Sequence, residues 1–217
     1  MQLTATRVFI VDDHPLVREW LANLLGQQSD VQVLGAAASA RQGLSAMQAD
    51  PPDVAIVDLS LQNASGLDLI KDLVSVLPQT RIIVLSMHEE AGYAQRAFRA
   101  GARGYVTKRE STEQIVEALR EVASGRFYAS RAMLSALTER SVLPVAGPVE
   151  SLSDREMDVF NRLGNGQSTR RIAEDLNVSI KTIHAYCARI KDKLGYTDAA
   201  ELVCNAVRWV VQHETPV

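Results

Sequence analysis

The sequence has few of the features that mark secreted, disulfide-stabilised or membrane-spanning proteins. Only two cysteines occur among its 217 residues. Cys187 and Cys204 lack the partner spacing of a metal site, so we interpret both as reduced, buried thiols. No apolar run approaches the roughly 18 residues that a transmembrane helix needs. The amino-terminal residues contain no signal-peptide core, because the charge of Arg7 comes early. These absences predict a cytoplasmic protein with no membrane segment.

A strong charge of one sign is also missing. The formal net charge is −3, from 23 lysines and arginines against 26 aspartates and glutamates. Such a balance gives no evidence of binding to nucleic acid through bulk positive charge. Residues 168–195 differ from the rest, because six basic side chains there stand against three acidic ones. This local excess permits contact with a phosphate backbone but does not establish it.

The sequence does contain short apolar runs that each end in a polar or charged residue. Residues 54–57 are all apolar, three of them are β-branched, and they lead directly into Asp58. Runs of the same kind at 7–11, 81–85 and 104–107 lead into Asp12 and Asp13, into Ser86, and into Lys108. Buried parallel strands have this pattern, and open α/β sheets bind ligands at the carboxyl ends of their strands. We therefore expect these five side chains to meet at one edge of one sheet.

Helical patterns alternate with these strands over the first 125 residues. Apolar residues recur at three- and four-residue steps between the strands, near 16–25, 40–49, 67–77, 93–99 and 112–124. A further strand is predicted at 31–34. The last helix begins with Ser111, followed by the acidic and amide side chains of Glu113 and Gln114, which is a typical helix start. Five alternations predict a flavodoxin-like, doubly wound (βα)5 domain over residues 1–125.

A second, all-helical domain is predicted at residues 150–217. Residues 126–149 lack an apolar period and contain Pro144, Gly147 and Pro148, so we assign them to a linker, with local order or a short helix near 127–137. The carboxyl-terminal domain has four helical patterns. Its second and third helices are joined by the three-residue turn 177–179, which is the sequence form of a helix-turn-helix.

The third helix of that domain has two different faces. Its predicted inward face is apolar and consists of Ile180, Ile183, Cys187, Ile190 and Leu194. At about 100° per residue, the opposite side contains Lys181, Thr182, Ala185, Ala188, Arg189 and Lys193, flanked by His184 and Tyr186. Cations, small residues and base-reading side chains suit a DNA major groove, and helix starts at Thr169, Arg170 and Ser179 suit the DNA backbone. An ordinary solvated helix face is the alternative.

These residues together resemble a bacterial two-component response regulator, with a receiver domain and a LuxR/NarL-type helix-turn-helix. The order of the five strand-end residues is similar to that of receivers. The second domain resembles the LuxR-type signature at Leu152–Glu156, Gly166, Ile172–Ala173, Ser179, Lys181–Ile183 and Lys193–Leu194. Two positions depart from the family. Leu61 and Gln62 stand where receivers usually have a proline, and Tyr186 stands where many LuxR-type domains have histidine.

This resemblance implies a phosphorylation site at the sheet edge. A sensor histidine kinase would phosphorylate Asp58, while Lys108 would pair with one phosphoryl oxygen and Ser86 would hydrogen-bond another. Mg²⁺ is the implied cofactor, because a carboxylate approaches an anionic phosphoryl group only when a cation screens the repulsion. Its implied ligands are Asp13, Asp58 and the carbonyl of Ser60, with Asp12 acting through water. The neighbouring His14 and His88 are interpreted as bystanders.

The resemblance also implies how the site controls the second domain. Phosphorylation would move Ser86 toward the phosphate and let Tyr105 turn inward, which reshapes the surface around the fifth strand. A half-buried strand aromatic is the other interpretation of Tyr105. The output would be binding to double-stranded DNA by a homodimer, with the last helix as a candidate dimer contact and RNA polymerase as a further candidate partner. Core packing alone could also explain the apolar residues of that helix.

Other interpretations stay open at this point. Taken singly, Asp12 or Asp13 could cap a helix before Pro15, and Lys108 could be a surface lysine. The chain could also be a transcription regulator whose degenerate receiver ignores phosphate, a possibility that the Leu61–Gln62 departure permits and the complete set of site residues opposes. A phosphatase of the haloacid dehalogenase type needs a second aspartate two residues after the nucleophile, where this chain has Ser60. We therefore do not expect an enzyme.

Overall fold

The computed structural model describes residues 5–61, 65–87, 91–131, 133–135 and 148–213. The chain divides into two compact units, Met1–Leu143 and Pro144–Val217. None of the helices in the described ranges is long and apolar enough to cross a bilayer. Cys187 is half-buried and Cys204 is exposed. The interpretation of both cysteines as buried is therefore wrong for Cys204. Several of its neighbours in the last helix are apolar, but its own side chain lies on the solvent-exposed side of that helix.

The first unit is built on a parallel sheet of six strands in the order β2-β1-β3-β4-β5-β6. The strands are β1 (Thr6–Val11), β2 (Val31–Ala37), β3 (Val54–Asp58), β4 (Arg81–Ser86), β5 (Gly104–Thr107) and β6 (Tyr128–Ala129). Every residue of the central strand β3 is buried. This burial on both faces is the reason why its sequence is a continuous apolar run rather than an alternating one.

Five helices connect and cover these strands: α1 (Pro15–Gly26), α2 (Ala40–Ala49), α3 (Gly66–Val76), α4 (Ala91–Ala100) and α5 (Thr112–Ala123). A core cluster joins β1, β3, β4 and β5 to residues of α1 and α5, including Leu21, Leu25 and Leu119. Helices α2, α3 and α4 pack beside one another. The start of α5 is a capping box between Ser111 and Gln114. The doubly wound prediction is therefore confirmed.

The sixth strand is an addition to the prediction. Tyr128 and Ala129, which the sequence analysis assigns to the linker, pair in parallel with Gly104 and Tyr105 of β5. The structure thus adds a short strand at the amino-terminal end of the predicted linker, near the residues where local order was expected. A strand of two residues has no detectable period, so its pairing depends on the exposed edge of β5 rather than on a sequence pattern.

The second unit consists of a short 3₁₀ turn (Pro148–Ser151) followed by α6 (Asp154–Gly164), α7 (Thr169–Asp175), α8 (Ile180–Leu194) and α9 (Ala199–His213). The prediction of four α-helices is confirmed. The turn between α7 and α8 contains Asn177 with a φ of 51°, a left-handed conformation that asparagine tolerates better than most residues. Helices α6 and α9 approach so closely that a Cβ on Gly164 would lie 2.5 Å from the carbonyl oxygen of Ala206.

Candidate functional site

The register of the sheet places the predicted site residues at the same edge. Val11 of β1 pairs with Val57 of β3, so Asp12 and Asp58 follow side by side. Ser86 and Thr107 form the last pair between β4 and β5, and Lys108 comes directly after it. The structure therefore brings Asp12, Asp58, Ser86 and Lys108 to the carboxyl ends of four strands.

Lys108 is the centre of this arrangement. Its Nζ lies 2.7 Å from Asp58 Oδ2 and 2.7 Å from Asp12 Oδ2, and all three side chains are buried. Burial lowers the pKa of the Lys108 ammonium, but the charges of Asp58 and Asp12 outweigh it and hold this pKa above its ordinary value of 10.5. Its backbone N–H donates to the carbonyl oxygen of Ser86 at 2.7 Å. An ordinary surface lysine is therefore excluded, and the ends of β4 and β5 are tied together.

Asp12 and Asp13 lie on the loop between β1 and α1. The residue that caps α1 is His14, so neither aspartate has the helix-cap position that was the simple alternative. The guanidinium of Arg18 donates to the carbonyl oxygen of Asp12 at 2.6 Å, and the backbone N–H of His14 donates to Asp12 Oδ1 at 2.8 Å. These bonds hold the loop against the first turn of α1.

His14 belongs to the site as well, contrary to its interpretation as a bystander. Its Nδ1 lies 2.8 Å from Asp13 Oδ1 and 3.1 Å from Asp12 Oδ1. Asp12, Asp13, His14 and Asp58 each offer one potential ligand atom, and these atoms lie within 4.8 Å of one another. The spacing of Asp12, Asp13 and His14 does not predict this cluster, because side chains of adjacent residues reach one point only in a particular loop conformation. His88 lies outside the described residues.

The loop after Asp58 is anchored on both sides. The backbone N–H of Ser60 donates to Asp58 Oδ1 at 3.0 Å, and Leu61 is fully buried. Leu61 is one of the two positions that depart from the receiver pattern, and the other, Gln62, lies outside the described ranges. Gly66 N–H donates to the carbonyl oxygen of Leu59 at 3.1 Å. A Cβ on Gly66 would lie only 2.3 Å from the carbonyl oxygen of Asp58, so a close backbone approach requires glycine here.

The charges at this edge do not balance among the strand-end groups. Three carboxylates stand beside one ammonium, so the cluster keeps an excess of negative charge that burial makes unfavourable. The potential metal ligands of the cluster are carboxylate oxygens, and Ser60 lies two residues after Asp58. Hard divalent cations prefer such oxygen ligands. The donor set therefore fits a cation such as Mg²⁺.

Tyr105, two residues before the end of β5, is 1% exposed, so its side chain is fully buried rather than half-buried.

The helix-turn-helix presents most of the predicted DNA-binding residues on its surface. The Ser179 hydroxyl caps α8, since it accepts from the Thr182 N–H at 3.0 Å. Ile183 and Ile190 are fully buried, but Ile180 is 44% exposed, so its placement on the inward face is wrong. Its position in the first turn of α8 lies beyond the packed core. Thr169 and Thr182 are half-buried, whereas Ser179 and six others are exposed: Arg170, Lys181, His184, Ala185, Ala188 and Arg189.

Lys193 differs from the other predicted DNA-binding residues. Its Nζ lies 2.6 Å from Glu156 Oε2 and 3.2 Å from the carbonyl oxygen of Ser151. Since Glu156 is buried, Lys193 compensates a charge within the domain, and its role as a DNA contact stays a prediction. The guanidinium of Arg189 lies 5.4 Å from the ring centroid of Tyr186. This cation–π contact holds Arg189 at the surface where the sequence departs from the family pattern.

Two family models match the chain, each over one unit. The response regulator receiver domain matches residues 8–120, and the luxR family of bacterial regulatory proteins matches residues 150–206. The chain belongs to the LuxR/NarL family of two-component response regulators. This family is a class of transcription regulators and not a class of enzymes.

Relatives of this response regulator match over nearly their whole length. The Fimbriae Z protein of Salmonella typhimurium is 38% identical over 197 residues, which are 90% of this chain and 93% of that protein. Response regulator GacA of Pseudomonas aeruginosa is 33% identical over 204 residues, 93% of this chain and 95% of that one. A similar solved structure is RcsB from Salmonella enterica serovar Typhimurium bound to promoter P1flhDC with phosphomimetic BeF₃⁻. It has a TM-score of 0.60 and 27% identity, and the match covers 94% of this chain and 98% of that one.

Proposed function

We propose that Asp58 accepts a phosphoryl group from a sensor histidine kinase and that this modification controls sequence-specific DNA binding by residues 150–217. One observation carries the proposal. Asp58 is buried at the end of the central strand, with its carboxylate held by Lys108 beside Asp12 and Asp13. The residues that phosphoryl transfer to a carboxylate requires are thus assembled at one point.

The transfer converts the carboxylate of Asp58 into an acyl phosphate. A carboxylate oxygen forms a bond to phosphorus, and the bond between phosphorus and the donor's histidine nitrogen breaks, with the electron pair leaving on that nitrogen. Asp13, Asp58 and the Ser60 carbonyl, with Asp12 close by, would hold Mg²⁺, which would supply the positive charge needed to screen the phosphoryl oxygens. Lys108 exchanges its contact with the carboxylate for one with a phosphoryl oxygen.

The same residues couple phosphorylation of Asp58 to a conformational change. Phosphorylation replaces the single negative charge of the Asp58 carboxylate with a phosphoryl group that carries about two. Ser86 stands on the neighbouring strand and hydrogen-bonds the new oxygens, which draws the end of β4 toward the phosphate. Tyr105 lies on the next strand along and responds to that movement through its buried packing.

The output surface is the exposed side of α8. Arg189 and His184 reach base edges in the major groove, while Lys181 and Arg170 contact phosphates and the small Ala185 and Ala188 allow close approach. Such a regulator works in the cytoplasm, where the DNA and RNA polymerase of a bacterial cell are located.

The proposed homodimer contact is based on exposed apolar residues on the outer side of α9. Val203, Val207 and Val211 recur at four-residue steps and are 40%, 40% and 71% exposed, whereas Leu202, Ala206 and Val210 of the same helix are buried. The inward stripe thus satisfies core packing by itself, and the second stripe is available to another copy of the chain.

Intact-mass measurement with a small phosphodonor tests the proposal. The full-length chain is incubated with acetyl phosphate, with and without Mg²⁺, beside Asp58→Asn and the matched control Asp72→Asn, an exposed aspartate of α3. We expect one added phosphoryl group on the wild type and on the control, none on Asp58→Asn, and none without Mg²⁺. Tighter binding of the phosphorylated chain to selected DNA completes the test. DNA binding that is indifferent to phosphorylation would support the phosphate-independent regulator instead.

A further inference from the structure

We infer that His14 is an additional ligand of the cation at the Asp58 site. Its imidazole makes the site prefer divalent cations that bind nitrogen ligands well, such as Co²⁺, over Mg²⁺. The inference rests on the proposed function, which places a divalent cation among Asp12, Asp13 and Asp58. It concerns a side chain that the phosphorylation chemistry itself does not require.

The geometry of the ring nitrogen is that of a ligand. His14 Nδ1 lies 2.8 Å from Asp13 Oδ1, 3.1 Å from Asp12 Oδ1 and 3.8 Å from Asp58 Oδ2. Ligands that bind one ion at about 2.1 Å and at right angles lie about 3.0 Å apart. An ion in contact with the carboxylates is therefore within reach of Nδ1 without a change of the loop.

The loop holds His14 in this position from both sides. Its backbone N–H donates to Asp12 Oδ1, and the following Pro15 restricts the backbone of His14, which is extended with a φ of −84° and a ψ of 112°. The side chain is 60% exposed. The ring consequently lies on the solvent side of the buried carboxylates of Asp12, Asp13 and Asp58.

The nitrogen changes which cation the site favours. Mg²⁺ is a hard ion that prefers oxygen ligands and gains little from an imidazole, whereas Co²⁺, Ni²⁺ and Zn²⁺ accept imidazole readily. Without a cation, His14 Nδ1 lies beside the carboxylates of Asp12 and Asp13. These contacts alone do not make the ring a ligand, so the test is whether the metal affinity depends on the ring.

The test compares Co²⁺ and Mg²⁺ binding to the full-length chain by isothermal titration calorimetry. Four proteins are needed: the wild type, His14→Ala, the control His184→Ala with an exposed histidine of the other unit, and Asp13→Asn. Loss of even a supporting partner of a metal ligand reduces affinity by about 10- to 100-fold. We therefore expect His14→Ala to lose at least about tenfold in Co²⁺ affinity with little change for Mg²⁺, and His184→Ala to match the wild type.

A second readout identifies the nitrogen itself. Proton NMR of the Co²⁺ complex should show a strongly shifted, exchangeable imidazole resonance that is present in His184→Ala and absent in His14→Ala. Unchanged Co²⁺ affinity and an unchanged resonance in His14→Ala would overturn the role of His14 and leave the Mg²⁺ site intact. If Asp13→Asn bound both cations like the wild type, or if the wild type bound neither, the cation site of the proposed function would fail together with this inference.

Discussion

Gly66 provides a sharp test of how the fold positions the phosphoacceptor. It is the first residue of α3, and its Cα faces the backbone that follows β3. A Cβ at this position would lie 2.3 Å from the carbonyl oxygen of Asp58 and 2.5 Å from the Cα of Leu59. Ordinary contacts of a Cβ begin near 3.4 Å. In Gly66→Ala, the start of α3 and the end of β3 must therefore separate by about 1 Å.

The size of the effect follows from what must move. A flexible side chain could rotate away, but both opposing atoms belong to the backbone. Overpacking of a closely packed region costs about 1–3 kcal/mol, and a backbone contact belongs at the upper end of that range. A loss of about 3 kcal/mol corresponds to a decrease in Tm of about 10 °C for a chain of this size. Because the displaced backbone bears the Asp58 carboxylate, phosphorylation should slow by about 100-fold, the typical effect of a 1 Å misplacement.

The assay combines thermal unfolding with the rate of phosphorylation by acetyl phosphate. Gly26→Ala is the matched control, because a Cβ on Gly26 would have no neighbour within 4 Å at the end of α1. That variant should be as stable as the wild type or more stable by up to about 1 kcal/mol, since alanine restricts the unfolded chain. A Gly66→Ala protein that melted and reacted like the wild type would refute the close approach of α3 to the phosphoacceptor.

Three further predictions concern the second unit. Although burial raises the pKa of the Glu156 carboxyl, hydrogen bonds from Lys193 and Ser153 hold it below its ordinary value of 4.5. It therefore stabilises the fold above about pH 4.5 and ceases to do so at lower pH, and in urea denaturation Glu156→Gln should lose about 1–3 kcal/mol at neutral pH and little in acid. Arg189→Ala should weaken binding to a selected DNA site by about 1–3 kcal/mol in fluorescence anisotropy. Val207→Lys should shift DNA-free, phosphorylated protein toward monomer in sedimentation velocity.

The DNA-binding and dimer predictions each have a control in the same chain. Arg208→Ala removes an exposed arginine of α9 and should leave the affinity for selected DNA unchanged. Val76→Lys changes an exposed valine of α3 and should leave the dimer intact. Equal effects of the Arg189 and Arg208 changes would mean that Arg189 contributes only general positive charge. A Val207→Lys protein that remained dimeric would move the dimer contact away from α9. For Glu156, a stability loss that did not fade in acid would contradict the ion pair with Lys193.

The sheet and its edge are predictable because they depend on strong, local signals. A strand buried on both faces must be apolar along its whole length, so a charged residue at its end is conspicuous, as at Asp58 and Lys108. The parallel register then brings those ends together without further information. Helix starts at Ser111 and Ser153 are equally local, because their capping boxes are complete within four residues.

The features that sequence does not predict depend on contacts between distant residues. Lys193 has the spacing of the DNA-binding face, but its partner Glu156 lies in another helix, and no periodicity reports that contact. Ile180 has the spacing of the core but lies in the first turn of α8, where the packed neighbours end. His14 is adjacent to the aspartates in sequence, yet only the conformation of the loop before Pro15 turns its ring toward them.

Lys108 links the stability of the site to its response. In the unphosphorylated chain its ammonium is the counter-ion that allows Asp12 and Asp58 to be buried together. The proposed phosphorylation of Asp58 would replace a carboxylate with one negative charge by a phosphoryl group with about two, and the ammonium would then divide its contacts differently. Since the backbone N–H of Lys108 is bonded to the carbonyl oxygen of Ser86, a shift of the lysine is a shift of two strand ends. In the proposed mechanism, the ion pair that allows the two carboxylates to be buried together is therefore also the connection from the phosphoryl group to β4 and β5.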